Sequence, residues 1–141
     1  MTITLTRSQA SFDREIQVKR DDYNLKINTA VGKKRGKYIT PIPGQEMIYK
    51  DKEEEAKLYV AESPEPATLE DYPWIEKEIG VTAPTAYELA QVWLNMAAQW
   101  RYVGPLLENL RLSSVNAISA ATSKAEMDAI MSSFEANLDL F

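Results

Sequence analysis

Two prolines and a glycine, Pro41, Pro43 and Gly44, constrain the fold of this chain more than any other stretch. Proline lacks the backbone N–H that a helix interior needs, and its ring clashes with the preceding turn, so no helix can cross residues 38–44. Tyr38-Ile39-Thr40, just before the prolines, is a β-prone triplet. We therefore predict an extended or turn-rich Gly/Pro joint here, which separates the structure before it from the structure after it.

Residues 7–31 can be written as one long N-terminal amphipathic helix that ends at Gly32. Arg20 interrupts its apolar stripe, whose spacings of four, seven, four and three are typical of a helix that packs on a partner. The stripe consists of Phe12, Ile16, Tyr23, Ile27 and Ala30. Because so narrow a stripe gains little by folding alone, we expect this helix to need a partner surface.

Charge is distributed unevenly along the 141 residues, whose net charge is −5. Residues 1–40 hold nine Lys and Arg against four acids, whereas residues 41–141 hold seven against seventeen. A basic arm ahead of an acidic body indicates that residues 1–40 dock on something acidic. That partner is nucleic acid, another protein, or the acidic half of a second copy, and self-association requires the fewest assumptions.

The rest of the chain reads as helices. Residues 41–84 contain an acidic helix from Gln45 to about Ala61, a proline-rich linker, and a short helix at 73–79. A capping box at Thr85–Glu88 begins a helix that runs to about Tyr102, and Gly104-Pro105 predicts a break after it. A second helix covers residues 105–121, and a capping box at Ser123–Glu126 begins a third.

Three helices joined by such short connections favour a compact antiparallel bundle over residues 85–141. The predicted fold is therefore all-α, in segments 1–40, 41–84 and 85–141.

Histidine and cysteine are both absent from the chain. This excludes disulfides, cysteine nucleophiles, a histidine general base and zinc-finger ligands. The acids Asp51, Glu53, Glu54 and Glu55 are nearly consecutive, so their carboxylates fan around a helix and are predicted to face water for the most part. We therefore predict a protein that is not an enzyme and has no catalytic, cofactor-binding or metal-binding residues. No apolar run approaches the ~18 residues of a membrane span, so we expect no membrane partner.

Two further motifs have both a functional and a structural interpretation. GKKRG (residues 32–36) offers glycines and cations for phosphate, but a β-prone triplet follows where a P-loop would begin a helix. Since the whole chain is acidic, we expect a solvated turn or a protein-docking patch here rather than a nucleic-acid site. Trp93 and Trp100 lie one heptad apart with Met96 between them, and this spacing favours core packing over a ligand-stacking cage.

Candidate partner-binding residues come from the helix stripe, the basic tract and the tyrosines near the joint. Tyrosine is enriched at protein interfaces, although local packing explains these tyrosines equally well. The candidates are Phe12, Ile16, Tyr23, Ile27, Lys33, Lys34, Arg35, Lys37, Tyr38 and Tyr49.

Three stretches share a distinctive order of motifs: RGKYITPIPGQEMIYKDKEEEAKLYVAE, DYPWIEKEIGVTAPTAYELAQVWLNMAAQW and LRLSSVNAISAATSKAEMDAIM. A basic tract leads to a Pro-Gly-Gln break, an acidic helix ending in Tyr, a proline-rich link to DYP, and an AAT motif before the last helix. This pattern, over residues 30–135, resembles a family of small proteins encoded among the tail and tail-fibre genes of tailed bacteriophages.

The resemblance implies a structural protein of the virion, made in the host cytoplasm and located in the tail, baseplate or tail fibre. It implies other phage structural proteins and copies of itself as partners, and it implies no functional residues. A transient tail or tail-fibre assembly chaperone, absent from the finished virion, is the alternative. A nucleic-acid accessory protein that uses Lys33, Lys34, Arg35 and Lys37 is the third possibility.

Overall fold

The computed structural model describes residues 7–141, so residues 1–6 of the predicted N-terminal arm lie outside the described residues. The described residues form five helices and no strand: α1 (Gln9–Arg35), α2 (Gln45–Ala61), α3 (Pro73–Glu78), α4 (Ala86–Ala120) and α5 (Lys124–Leu138). The all-α prediction is confirmed. None of these helices is both long and apolar enough to span a membrane.

The helices belong to two compact units. The terminal unit contains the described residues up to Arg35 together with Pro105–Phe141, and the central unit contains Gly36–Gly104. This grouping differs from the predicted segments 1–40, 41–84 and 85–141. The difference arises because α1 packs with α5, which is distant in sequence, and because α4 supplies residues to both units.

In the terminal unit, α1 is part of the hydrophobic core. The buried hydrophobic side chains on the helices of this unit come from α1, α4 and α5: Ile16, Ile27, Val31, Leu107, Ile118, Met127, Met131 and Phe134. Arg20, which interrupts the predicted stripe, donates hydrogen bonds to the carbonyl oxygens of Ile118 (3.3 Å) and Ala121 (3.0 Å). A cation is favourable at the carbonyl end of a helix, so Arg20 fastens α1 to the end of α4.

The central unit has its own core. The rings of Tyr59 and Tyr72 pack edge to face with centroids 5.1 Å apart, and Ile75, Leu89 and Trp93 are buried in the same cluster. The Tyr59 hydroxyl donates a hydrogen bond to Glu65 at 2.5 Å. Burial and this hydrogen bond raise the pKa of Tyr59 to about 12.

Thr85 and Ser123 both act as N-caps at the helix starts that their capping boxes predicted. Thr85 Oγ1 accepts the backbone N–H of Glu88 at 3.2 Å, and Ser123 Oγ accepts that of Glu126 at 3.1 Å. The Glu126 carboxylate accepts the backbone N–H of Thr122 at 2.7 Å, one residue before the usual partner in a capping box. Hydrogen bonds from Thr122 lower the pKa of Glu126.

The predicted break at Gly104-Pro105 is wrong. α4 continues through Pro105, so residues 85–141 contain two helices rather than three. Pro105 removes one helical hydrogen bond, but Val103 and Leu107 on either side of it are buried. Gly104 makes room for an indole, since a Cβ there would lie 3.1 Å from a ring carbon of Trp100. Packing therefore outweighs the local preference for a helix end.

The predicted helix end at Gly32 is also wrong, because α1 continues to Arg35. Val31 is buried, and the basic residues 33–35 occupy the last turn, where positive charge interacts favourably with the helix dipole. Residues 36–44, between α1 and α2, contain turns and no helix. Gly44 precedes α2 with a left-handed φ of 83°, a conformation that side-chain-bearing residues rarely adopt.

Candidate functional site

The central unit contains a cavity of about 620 Å³, within the usual range for ligand sites. The joint and α2 provide one side of it. Glu78, the last residue of α3, and Thr82, four residues later, provide another. The remaining wall is the face of α4 from Trp93 to Arg101. We take this cavity as the candidate site.

Lys52 is the most enclosed cation of the cavity wall, with 14% of its side chain exposed. Its Nζ lies 5.0 Å from the ring centroid of Trp93 and 6.0 Å from that of Trp74. It also forms an ion pair with Glu78. Two aromatic faces and a carboxylate thus stabilise the ammonium group in a partly dry position.

Glu78 is held as a carboxylate. Burial alone would raise the pKa of Glu78, but hydrogen bonds from Lys52, Thr82 and Trp93 together lower it. The Thr82 hydroxyl donates to Glu78 at 2.6 Å. A general acid or base needs a pKa near the working pH, so Glu78 is better suited to charge pairing than to proton transfer.

Two other polar side chains of the wall, Glu53 and Tyr49, also have partners within the central unit. Glu53 forms ion pairs with Arg101 and with Lys57, the latter at 2.5 Å. The Tyr49 hydroxyl donates to Thr40 Oγ1 at 2.8 Å and accepts the Thr40 backbone N–H at 3.2 Å. The hydroxyl of Tyr49 is therefore occupied, and its ring is the part that remains available to the cavity.

The aromatic stripe of α4 serves two purposes. Trp93 is buried in the core of the central unit, as its helical spacing predicted. Met96 is 42% exposed and Trp100 is half-buried, and both line the cavity. The stripe thus lines the cavity along its length, and Trp93 at one end also belongs to the core.

Two of the predicted partner-binding residues, Tyr38 and Tyr49, lie in the cavity wall. Sequence reasoning missed Lys52, Glu78 and Arg101 as residues of the same site. Lys52 carried a usable signal, since it precedes Ala56 and Tyr59 by four and seven residues and so lies on the buried face of α2. Glu78 and Arg101 had none, because their partners are distant in sequence.

Ile16 and Ile27, two of the partner-binding candidates, are buried in the core of the terminal unit. Phe12, by contrast, is exposed.

The Tyr23 hydroxyl donates to Asp128 at 2.5 Å, and the same carboxylate pairs with Lys19 at 2.6 Å. These hydrogen bonds lower the pKa of Asp128. Tyr23 therefore joins α1 to α5.

The basic tract is split between surface and internal contacts. Lys33 and Lys37 are exposed, whereas Lys34 donates to the carbonyl oxygen of Phe141 at 3.2 Å. Arg35 pairs with Glu108, which also accepts hydrogen bonds from Arg111. The Arg111 hydrogen bond, against the effect of burial and with help from Arg35, lowers the pKa of Glu108 to about 2.

The acidic run of α2 was predicted to face water for the most part, and one of its members does not. Asp51 and Glu54 are exposed, but Glu55 is buried. Its carboxylate accepts the backbone N–H groups of Trp74 (3.2 Å) and Ile75 (2.7 Å) in the first turn of α3. Nearly consecutive acids do fan around a helix, and for that reason one of them reaches the buried face.

Comparison of the chain with protein-family models, with curated proteins and with solved structures yields no match. Among residues 7–141, no cluster of three or more acidic side chains has an arrangement that could hold a metal ion.

Proposed function

We propose that this chain is a non-enzymatic structural protein of a tailed-bacteriophage virion, located in the tail, baseplate or tail fibre. The family assignment rests on the motif order in residues 30–135. Two of the three resembling stretches, residues 35–62 and 71–100, include every residue of the cavity wall except Arg101. The candidate site thus lies in the part of the chain that carries the resemblance.

The observation that favours binding over catalysis is the pairing of charges around the cavity. Glu78 is neutralised by Lys52, and Glu53 by Arg101 and Lys57. A reactive site keeps a group whose pKa is matched to proton transfer or nucleophilic attack. Paired charges beside aromatic rings instead form a rigid surface that suits recognition of another molecule.

In this proposal the long N-terminal helix and the Gly/Pro joint still contact a neighbouring subunit, and a helical bundle forms the body. The contact is made by residues that remain accessible, Phe12, Lys33 and Lys37, together with Tyr38 and Tyr49 at the joint. Ile16 and Ile27 are excluded from it because they are core residues. Partners are other structural proteins of the virion and further copies of the chain.

Quantitative mass spectrometry of purified particles, compared with the infected-cell lysate, tests the proposal. A structural component is expected at a fixed copy number per particle, and that number points to a tail, baseplate or fibre ring. A chain abundant in the lysate but missing from particles contradicts the proposal and favours the assembly chaperone.

The nucleic-acid alternative is weakened because Arg35 is already paired with Glu108. Affinity measured by filter binding at two salt concentrations provides the test, since binding through Lys33 and Lys37 should fall steeply with salt.

A further inference from the structure

We propose that the cavity of the central unit binds an uncharged aromatic side chain, with tryptophan as the best fit, presented by another protein of the assembly. The proposal rests on the proposed function and names the chemistry of its partner. It is carried by three features: the balanced charges of the cavity wall, its aromatic rings, and the exposed apolar side chains in the segment that lines it.

The charges of the wall disfavour an ionic ligand. The wall carries three acidic and three basic side chains, and four of these six are paired, Lys52 with Glu78 and Arg101 with Glu53. The other two, Lys50 and Glu46, are exposed and of opposite sign. A cation would have to compete with Lys52, which already occupies the faces of Trp74 and Trp93. Breaking a partly enclosed ion pair leaves an uncompensated charge, which is strongly unfavourable. The preferred ligand is therefore neutral.

The wall favours an aromatic ring. Tyr49 and Trp100 offer rings, and Met96 offers a thioether between Trp93 and Trp100 along α4. Aromatic pairs and sulfur–aromatic contacts both add attraction beyond the burial of area. The Tyr49 hydroxyl is already bonded to Thr40, so the inserted group does not need to satisfy it. Tryptophan is also among the residues most often found as buried anchors at protein interfaces.

The chain segment that lines the cavity favours a polypeptide over a free small molecule. Ile42 in the joint and Met47 in the first turn of α2 are exposed apolar side chains that lie, in sequence, on either side of the lining residues Gln45 and Glu46. Exposed apolar side chains are what a protein interface covers. A partner protein is large enough to cover them, whereas a small molecule held in the cavity is not.

Three probes share an indole ring and differ in charge: N-acetyltryptophanamide (neutral), indole-3-acetate (negative) and tryptamine (positive). The indole N–H resonance of Trp100 reports binding by NMR in every variant. We expect the neutral probe to cause a saturable shift and to bind at least about threefold more tightly than either charged probe. No saturable shift, or tighter binding of a charged probe, would overturn the proposal.

Matched variants test whether the neutral probe binds in the cavity. Met96→Glu places a charge in the cavity and should weaken the neutral probe by about tenfold. Leu58→Glu, on an exposed α2 position outside the cavity, should leave it unchanged. Ala97→Phe fills the cavity without adding charge, and it should also block the probe if Met96→Glu proves poorly folded. Equal weakening by Met96→Glu and Leu58→Glu would contradict the site.

Incorporation of the variants into particles shows whether the aromatic ring that enters the cavity belongs to a partner protein or to a small molecule. Met96→Glu should lower the copy number per particle while Leu58→Glu keeps it. If Met96→Glu loses the probe but is incorporated normally, the partner proposal is overturned in favour of a small aromatic ligand. If the wild-type chain is itself absent from particles, the proposed function fails, and the probe titration still tests the cavity independently.

Discussion

At the scale of single residues, Glu55 of α2 caps the N-terminus of α3. Its N-cap residue is Tyr72, which makes no side-chain capping bond. The first backbone N–H groups of a helix have no partner within the helix, and leaving them unpaired is costly when they are buried. Glu55 supplies both acceptor oxygens from α2, so a charged side chain connects two helices of the central unit.

Replacing Glu55 by alanine should lower the free energy of unfolding by about 1–3 kcal/mol, because two backbone donors lose their partner. The neighbouring change Glu54→Ala, at an exposed position, should cost less than about 0.5 kcal/mol. Urea unfolding of both variants gives the comparison. Equal losses would mean that the α3 cap contributes nothing beyond a general effect of removing an acid from α2.

Glu108 should make the stability of the terminal unit dependent on acid pH. Its pKa in the folded state is about 2, below its ordinary value of 4.5, so folding favours the carboxylate. Its contribution is therefore complete above pH 4.5 and is lost as the pH falls towards 2. The difference in unfolding free energy between wild type and Glu108→Gln should be largest at neutral pH and shrink below pH 4.5.

Glu135→Gln, at an exposed position on α5 in the same unit, serves as the control for Glu108→Gln. A wild-type advantage over Glu108→Gln that stays constant from pH 7 to pH 2 would show that folding does not favour the ionised form of Glu108, and so would contradict the lowered pKa.

At the scale of elements, α1 is a structural helix of the terminal unit. The narrow stripe and basic charge predicted an arm that needs another molecule to cover it. Instead, Ile16 and Ile27 of that stripe are buried within the chain itself, and α1 packs against α5. Deleting residues 1–36 should therefore expose the core of the terminal unit and destabilise it, rather than release an independent bundle.

A pair of substitutions within α1 tests this role without truncation. Ile27 is 0% exposed and Leu25 is 67% exposed. Ile27→Ala should cost about 2–5 kcal/mol, because it leaves a cavity, whereas Leu25→Ala should cost less than about 0.5 kcal/mol. Thermal or urea unfolding measures both. If both variants lose less than about 0.5 kcal/mol of unfolding free energy, α1 is not part of the core, and the original prediction of an arm that needs a separate partner is favoured.

At the scale of the whole molecule, the two units have separate cores. Every buried residue of the central core, from Ala56 to Trp93, lies within residues 36–104. A fragment of residues 36–104 should therefore be helical and melt cooperatively, although with lower stability because it is short. Circular dichroism with temperature tests this expectation. A fragment without a melting transition would show that the central unit depends on the rest of the chain.

The sequence by itself determined the helical class and several helix boundaries. Thr85 and Ser123 begin helices as their capping boxes predicted, because these hydrogen bonds join groups only three residues apart. The same local reasoning placed α2 and α3, since their prolines and glycines act on the adjacent backbone. Signals of this kind do not depend on what lies elsewhere in the fold.

Only the tertiary structure decided where Arg20, Lys52 and Glu55 belong and whether α4 continues through Pro105. Arg20 finds its acceptors 98 and 101 residues away, and Glu55 meets backbone donors 19 and 20 residues away. A polar side chain on a buried helix face is costly unless such a partner is present, and its own segment does not reveal that partner. The cavity follows the same rule, because its paired charges and rings come from the joint, α2, α3 and α4, which only folding brings together.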